Sequence, residues 1–213
     1  MALVGLLYVG AVLFINGLLL LGAVDGRAAA PINLFVGALQ VVTPTYLIFT
    51  ANGDPRAILA ASGLYLFGFT YLYVGINLLA ALDTNGVGWF SLFVAIAALG
   101  YSYANFAILG DRPFGVIWLY WAFLWALFFL VLGLKHEWLT RYTGWVTIIQ
   151  AWVTAAIPAF LLLTNLWRYQ DGIAIGLAVG GVVVFGALYA FIHPRAPGAP
   201  AATPSPTAHP AAG

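Results

Sequence analysis

Trp118, Trp121 and Trp125 recur at i, i+3 and i+7 inside an uncharged stretch, a spacing that puts three indoles on one face of a helix. Leu6, Val9, Leu13 and Asn16 share a face near the N-terminus, while Phe69, Tyr73 and Asn77 stack one turn apart further on. Gln150 adds a carboxamide to a later apolar stretch. None of these groups is a nucleophile or a base. The Ser and Thr residues of the apolar stretches have no neighbouring His, Lys or Asp to activate them, and the chain contains no Cys. What remains is hydrogen bonding by amides, indoles and phenols beside aromatic faces, which suits a flat, neutral solute with donors and acceptors.

The elements that hold these residues are set by composition. Hydrophobic residues make up 64% of the 213 and charged residues 6%, far from the roughly one-quarter charged content of soluble domains. Water would face large apolar patches on such a fold, whereas a lipid bilayer accepts them. Seven apolar runs of about 20 residues each are long enough to cross: Leu3–Leu21, Pro31–Thr50, Ile58–Leu82, Trp89–Leu109, Phe114–Leu134, Trp145–Trp167 and Ile173–Ile192. The expected fold is an all-α membrane protein. The first run lacks the basic flank of a secretory signal and reads as a retained helix. Turn residues such as Asp25-Gly26, Asn52-Gly53-Asp54-Pro55 and Asp111-Arg112-Pro113 mark the short connections. Residues 1–167 form the expected six-helix core and 168–192 an additional helix, followed by a Pro- and Ala-rich tail at 193–213 that cannot bury enough surface to fold. With the N-terminus outside, inner loops carry Arg27, Lys135, Arg141 and Arg195, against Arg56, Arg112 and Arg168 outside. Four against three favours N-out, C-in.

A repeat runs through the helices. Leu7-Tyr8-Val9-Gly10 recurs as Leu72-Tyr73-Val74-Gly75 and loosely as Leu119-Tyr120-Trp121-Ala122; in the even segments Leu34-Phe35-Val36-Gly37 is echoed by Leu92-Phe93-Val94-Ala95. Three helical hairpins around a common axis are expected, with the seventh segment outside the repeat.

The charges exclude several functions. A net charge of +1 argues against a nucleic-acid partner. Ion-coupled transport and proton pumping place ionisable groups within the bilayer, and every Asp, Glu, Lys and Arg lies between or beyond the apolar runs. His136, His193 and His209 lie there too, so no haem ligand, metal site or other cofactor is expected, and no enzyme. An interfacial belt accounts for Trp89, Trp138, Trp145 and Trp167 but not for Trp121 and Trp125, which sit too deep. Those two line a path or pack between helices, and Asn16, Asn77 and Gln150 are either pore groups or interhelical glue. Urea and acetamide fit the path reading. An unassisted amide loses about 4–8 kcal/mol on entering hydrocarbon, which sparse polar groups recover in part, and an apolar slot cannot replace an ion's hydration shell. The alternative is a structural or assembly membrane protein without a solute path.

The strings LLYVG with Asn16, NLFVG, LFGFTYLYVGIN, SLFVAI, VIWLYWAFLW and IIQAWVTAAIPAFLL resemble the AmiS/UreI family of urea and short-chain amide channels, from Met1 to about Trp167. The resemblance implies a homo-hexamer of six-helix protomers with a pore in each, and a cytoplasmic amidase or urease as metabolic partner. It also implies one constriction at Val9, Leu13, Leu124 and Trp125, another at Leu6, Trp118 and Trp121, and Phe69 and Tyr73 along the path. Acid-gated members carry a membrane glutamate where this chain has Gln150, and a long histidine-bearing outer loop where it has Ala51–Ala57. The chain therefore resembles the amidase-associated branch more closely, without acid gating.

Overall fold

A computed structural model describes residues 2–192; the tail expected to stay disordered lies outside them. Among the described residues seven apolar helices follow one another: α1 (Ala2–Leu20), α2 (Gly26–Phe49), α3 (Pro55–Ala80), α4 (Asn85–Leu109), α5 (Arg112–Gly133), α6 (Glu137–Leu163) and α7 (Gln170–Ile192). No strand occurs among the described residues. Several helices begin before the apolar runs do, α2 by five residues and α6 by eight. Their first turns carry Arg27 or Glu137 and Arg141, because a helix continues past the hydrocarbon into the polar layer while hydropathy registers the hydrocarbon part.

Local chemistry places the ends. Asp54 accepts the Arg56 N–H at 3.0 Å with Pro55 in the first turn, and Asp111 does the same for Phe114 beside Pro113. Gly110, at φ 75°, closes α4 in the left-handed region. Inside the spans α3 breaks at Gly63, α4 and α5 finish in π turns (Asn105–Leu109 and Phe129–Gly133), and α6 contains a π segment at Ala151–Ala156 just before Pro158, which has no N–H to give.

Helices α1 to α6 close into a ring. The tightest pairs are α1 with α6, α2 with α3 and α4 with α5, and looser contacts of α1 with α2, α3 with α4 and α5 with α6 complete it. Close packing thus falls between the three sequence hairpins. Glycine explains why: a Cβ on Gly37 of α2 would lie 2.7 Å from the Leu72 backbone N of α3, one on Gly17 of α1 would lie 2.9 Å from the Gly144 carbonyl of α6, and one on Gly88 of α4 would collide with the Gly133 backbone of α5.

Helix α7 lies outside the ring against α5 and α6. The Tyr120 hydroxyl donates to the Leu177 carbonyl at 2.6 Å and the Tyr142 hydroxyl to that of Phe185 at 3.0 Å, while Arg112 pairs with Asp171 at 2.7 Å. The Gly172, Gly176, Gly180 stripe, whose spacing suits close packing, has open space over every member. Gly181 is the glycine of α7 that contacts the ring, beneath the Tyr120 hydroxyl.

Candidate functional site

Inside the ring an aromatic cluster divides the axis. Phe67 of α3 meets Trp121 of α5 edge-on with ring centroids 4.7 Å apart, meets Trp125 at 4.8 Å and lies 5.9 Å from Trp118. Trp118 and Trp121 are themselves T-shaped at 4.9 Å, and Tyr101 of α4 stacks on Trp118 at 4.7 Å. Apart from the tilted Phe67–Trp118 pair, these contacts match the preferred stacked or edge geometry of aromatic pairs. The missing side chain at Gly63 makes room for this cluster, since a Cβ there would lie 2.8 Å from the Trp118 ring.

A cavity opens on each side of the Phe67–Trp121 contact. At the N-terminal end lies a chamber of about 520 Å³ bordered by Leu6, Val9, Gln40, Tyr101 and Trp118, with Asp111 also in its lining. Toward the other end lies one of about 110 Å³ bordered by Leu13, Asn16, Tyr71, Asn77, Leu124 and Trp125. A water needs about 10–15 Å³ on this scale, so either chamber can admit a molecule larger than water. Phe67 and Trp121 belong to both linings and form the partition.

The repeat explains which side chains reach the axis. The third residue of each odd-helix string, Val9, Val74 and Trp121, lines a chamber. The second residue of the first two strings points away, with Tyr8 and Tyr73 exposed on the outside of the ring. Phe69 and Tyr73, expected along the path, are instead 50% and 37% exposed and border neither chamber. The α3 face that does line the chambers is Phe67, Thr70, Tyr71, Val74 and Asn77, helical spacing in a different register. Asn77 sits on that face, its Nδ2 donating to the Asp83 carbonyl and its Oδ1 unpartnered.

The structure bears on three further expectations. Val9 lines the N-terminal-end chamber with Leu6, not the opposite one with Leu13, because the partition falls between them on α1. Gln150 is fully buried but borders neither chamber. Its Nε2 donates to the Tyr120 carbonyl at 3.0 Å, so it ties α6 to α5. Nor is the Trp121 indole N–H free for a solute: it donates to the Thr154 hydroxyl at 3.0 Å, which in turn donates to the Gln150 carbonyl. Thr154 stands in the π segment of α6, a distortion of the kind that often marks functional sites. Asn16 exchanges two hydrogen bonds with Asn33 of α2, at 2.9 and 2.7 Å, and borders the smaller chamber while joining two helices.

Phe67, Tyr71 and Gln40 were not singled out by sequence. Phe67 and Tyr71 lie within the LFGFTYLY string two residues before Phe69 and Tyr73, and Gln40 stands out in the sequence as a polar residue within an apolar run.

Comparison with known proteins agrees with this fold. The profile of the AmiS/UreI family transporters matches residues 1–166. A Rhodococcus erythropolis protein named as the transporter AmiS2 is 57% identical over 193 residues, which cover 91% of this chain and 94% of the relative. A Mycolicibacterium smegmatis protein named as a transporter of amidate substrates is 56% identical over 178 residues, 84% of each chain. The acid-activated urea channel of Helicobacter pylori is 37% identical over 191 residues, 76% of this chain and 97% of that one. The cryo-EM structure of the Helicobacter pylori urea channel in its closed state superposes with a TM-score of 0.71 at 36% identity, covering 79% of this chain and all of that one.

Proposed function

From the premise that the chain belongs to the AmiS/UreI family, we propose that its six-helix ring is a passive transmembrane channel for small neutral amides, acetamide and other short aliphatic amides, and for urea. The observation that carries this reading is the pair of chambers meeting at the Phe67–Trp121 partition. Their linings hold no Lys, Arg, His or Glu, and Asp111 lies at the helix-start end of α5. Without a charge inside the membrane, nothing couples solute movement to protons or sodium. A solute crosses by leaving water for an aromatic slot that fits a planar molecule and offers a few amide and hydroxyl contacts.

Residues 1–167 form the conducting core and 168–192 a peripheral helix, supported by the position of α7 outside the ring. The protein sits as a multi-pass component of the cell membrane with its N-terminus outside, as a homo-hexamer with one path in each protomer. A cytoplasmic amidase or urease consumes what enters. Family resemblance supports the assembly and the metabolic partner; the loop cations support the orientation. Stopped-flow measurements on proteoliposomes test the channel reading, with acetamide and urea entering until concentrations are equal. Accumulation driven by an imposed pH or sodium gradient would replace the channel with a coupled transporter.

A further inference from the structure

Gln40, in the middle of α2, is fully buried, and neither its Oε1 nor its Nε2 has a hydrogen-bond partner. A whole carboxamide left without partners in a membrane interior calls for an explanation, because neither lipid nor apolar side chains can satisfy it. The other buried glutamine, Gln150, has at least its donor engaged by the Tyr120 carbonyl. Gln40 borders the N-terminal-end chamber together with Leu6, Val9, Phe67 and Trp121. It lies across Gly5 of α1, where a Cβ would come 3.2 Å from both Oε1 and Nε2. The missing side chain at Gly5 gives the carboxamide its place beside the axis.

Several other polar groups of this lining are engaged by the protein itself. The Tyr101 hydroxyl bonds the Ser62 hydroxyl at 2.7 Å, the Asn105 Nδ2 donates to the Tyr101 carbonyl at 2.8 Å, and Asp111 accepts the Phe114 N–H at 3.0 Å. Among the described lining residues of this chamber, Gln40 is the buried side chain with both a donor and an acceptor free.

We propose that Gln40 is a specificity-determining residue of the path, a built-in carboxamide that recognises the amide group of the permeant. This rests on the channel reading above. Rotation of the side chain off Gly5 toward the chamber lets Nε2–H donate to the permeant carbonyl while Oε1 accepts an N–H from the same molecule, the coplanar pair that two carboxamides form with each other. Primary amides and urea present that coplanar donor and acceptor. Glycerol does not, although its hydroxyls hydrogen-bond. Gln40 therefore separates amides as a class from polyols without separating urea from acetamide.

The test measures acetamide and glycerol flux by stopped flow, together with melting temperature, in proteoliposomes or detergent-purified protein as each requires. Variants are Gln40→Met, which keeps length and loses hydrogen bonding, and Gln40→Asn, which keeps the carboxamide one methylene short. In Gln40→Met the acetamide-to-glycerol flux ratio falls about tenfold, as expected for one lost hydrogen-bonded contact. The melting temperature holds or rises, since an apolar group replaces an unpartnered polar one. Gln40→Asn retains part of the ratio. An unchanged ratio in an assembled Gln40→Met protein overturns the assignment, as does a parallel loss of both fluxes with a lower melting temperature. If the unaltered protein shows no acetamide flux above protein-free liposomes, the channel reading itself fails, a result separate from either of those.

Discussion

Helices α5 and α7 are both uncharged beyond a single residue of the first turn, Arg112 and Asp171, and both long enough to cross a bilayer, yet the fold treats them oppositely. Helix α5 buries Trp118, Trp121, Leu124 and Trp125 toward the axis and Val116, Ile117 and Tyr120 among its neighbours. Helix α7 buries Ala174, Gly181 and Phe185, leaving Ile175, Val179, Val182 and Phe191 exposed. Apolarity alone satisfies the requirement for crossing. Building a path takes bulky rings at helical spacing on one helix and something to meet them on the next, here Phe67 of α3. The channel chemistry is therefore expected to reside in α5 and α3, with α7 serving as an attachment.

The strongest test of that contrast is to remove the partition. Trp121→Ala or Phe67→Ala joins the two chambers and widens the slot, so discrimination between acetamide and a larger amide or glycerol falls by at least about tenfold, the lower end of what one group in a fitted pocket provides. Because one side of each ring faces a cavity, the stability loss lies below the roughly 3–5 kcal/mol of a fully packed aromatic. Phe69→Ala, on the outward face two residues along from Phe67, leaves selectivity as it was. Loss of selectivity at Phe69, or loss of stability without any change of solute range at Trp121, would turn the cluster into ordinary packing.

The Phe67 and Phe69 pair shows where sequence stops being legible. Apolar runs located all seven spans, since length and lack of charge are enough for that. The Trp118, Trp121, Trp125 face of α5 was readable from spacing, and so was the Leu6, Val9, Leu13, Asn16 face of α1, because the polar Asn16 gives the latter a direction. Helix α3 is less easily read: its polar Asn77 lies one turn from Tyr73 and also close to the face of Val74, and the LFGFTYLY string has aromatics all round, so spacing alone cannot say which reach the axis. The choice is made by Gly68 and Gly75, which press α3 onto α2 and fix its rotation. Tertiary contacts likewise made Gln150 a tie between helices and Gln40 an unpartnered group, a difference their shared chemistry does not reveal.

Deleting everything after Trp167 probes the other half of the comparison with a smaller effect. The ring loses the Arg112–Asp171 pair and the carbonyl partners of Tyr120 and Tyr142. At about 1 kcal/mol for each hydrogen bond and up to about 1 for an exposed ion pair, stability falls by roughly 2–3 kcal/mol. Acetamide flux per assembled protomer stays within about twofold of the full chain. Abolished flux in a truncated protein that still assembles would bring α7 into the path.

The smallest effect is expected from pH. Neither chamber has a histidine in its lining, and Gln150 has no proton to exchange. His136 lies in the connection between α5 and α6, stacked near Trp138 and away from both chambers. At the same end of the molecule Asp83 holds the connection after α3 in place: the Asn85 N–H first, then Lys135, keep its carboxyl below the ordinary carboxylate value. A depressed folded pKa contributes stability that is present above the unfolded value, near 3.9 for Asp, and is lost as pH falls through the folded one. That loss lies below about pH 4, outside the window in which histidine changes charge. Acetamide flux in proteoliposomes should therefore be nearly flat between about pH 5 and 7.5. Acidification that raises it tenfold would mean that Asp111 at the mouth of the larger chamber, or a group outside the linings, gates the path, and the contrast with the acid-activated relative would then lie in which group senses the proton.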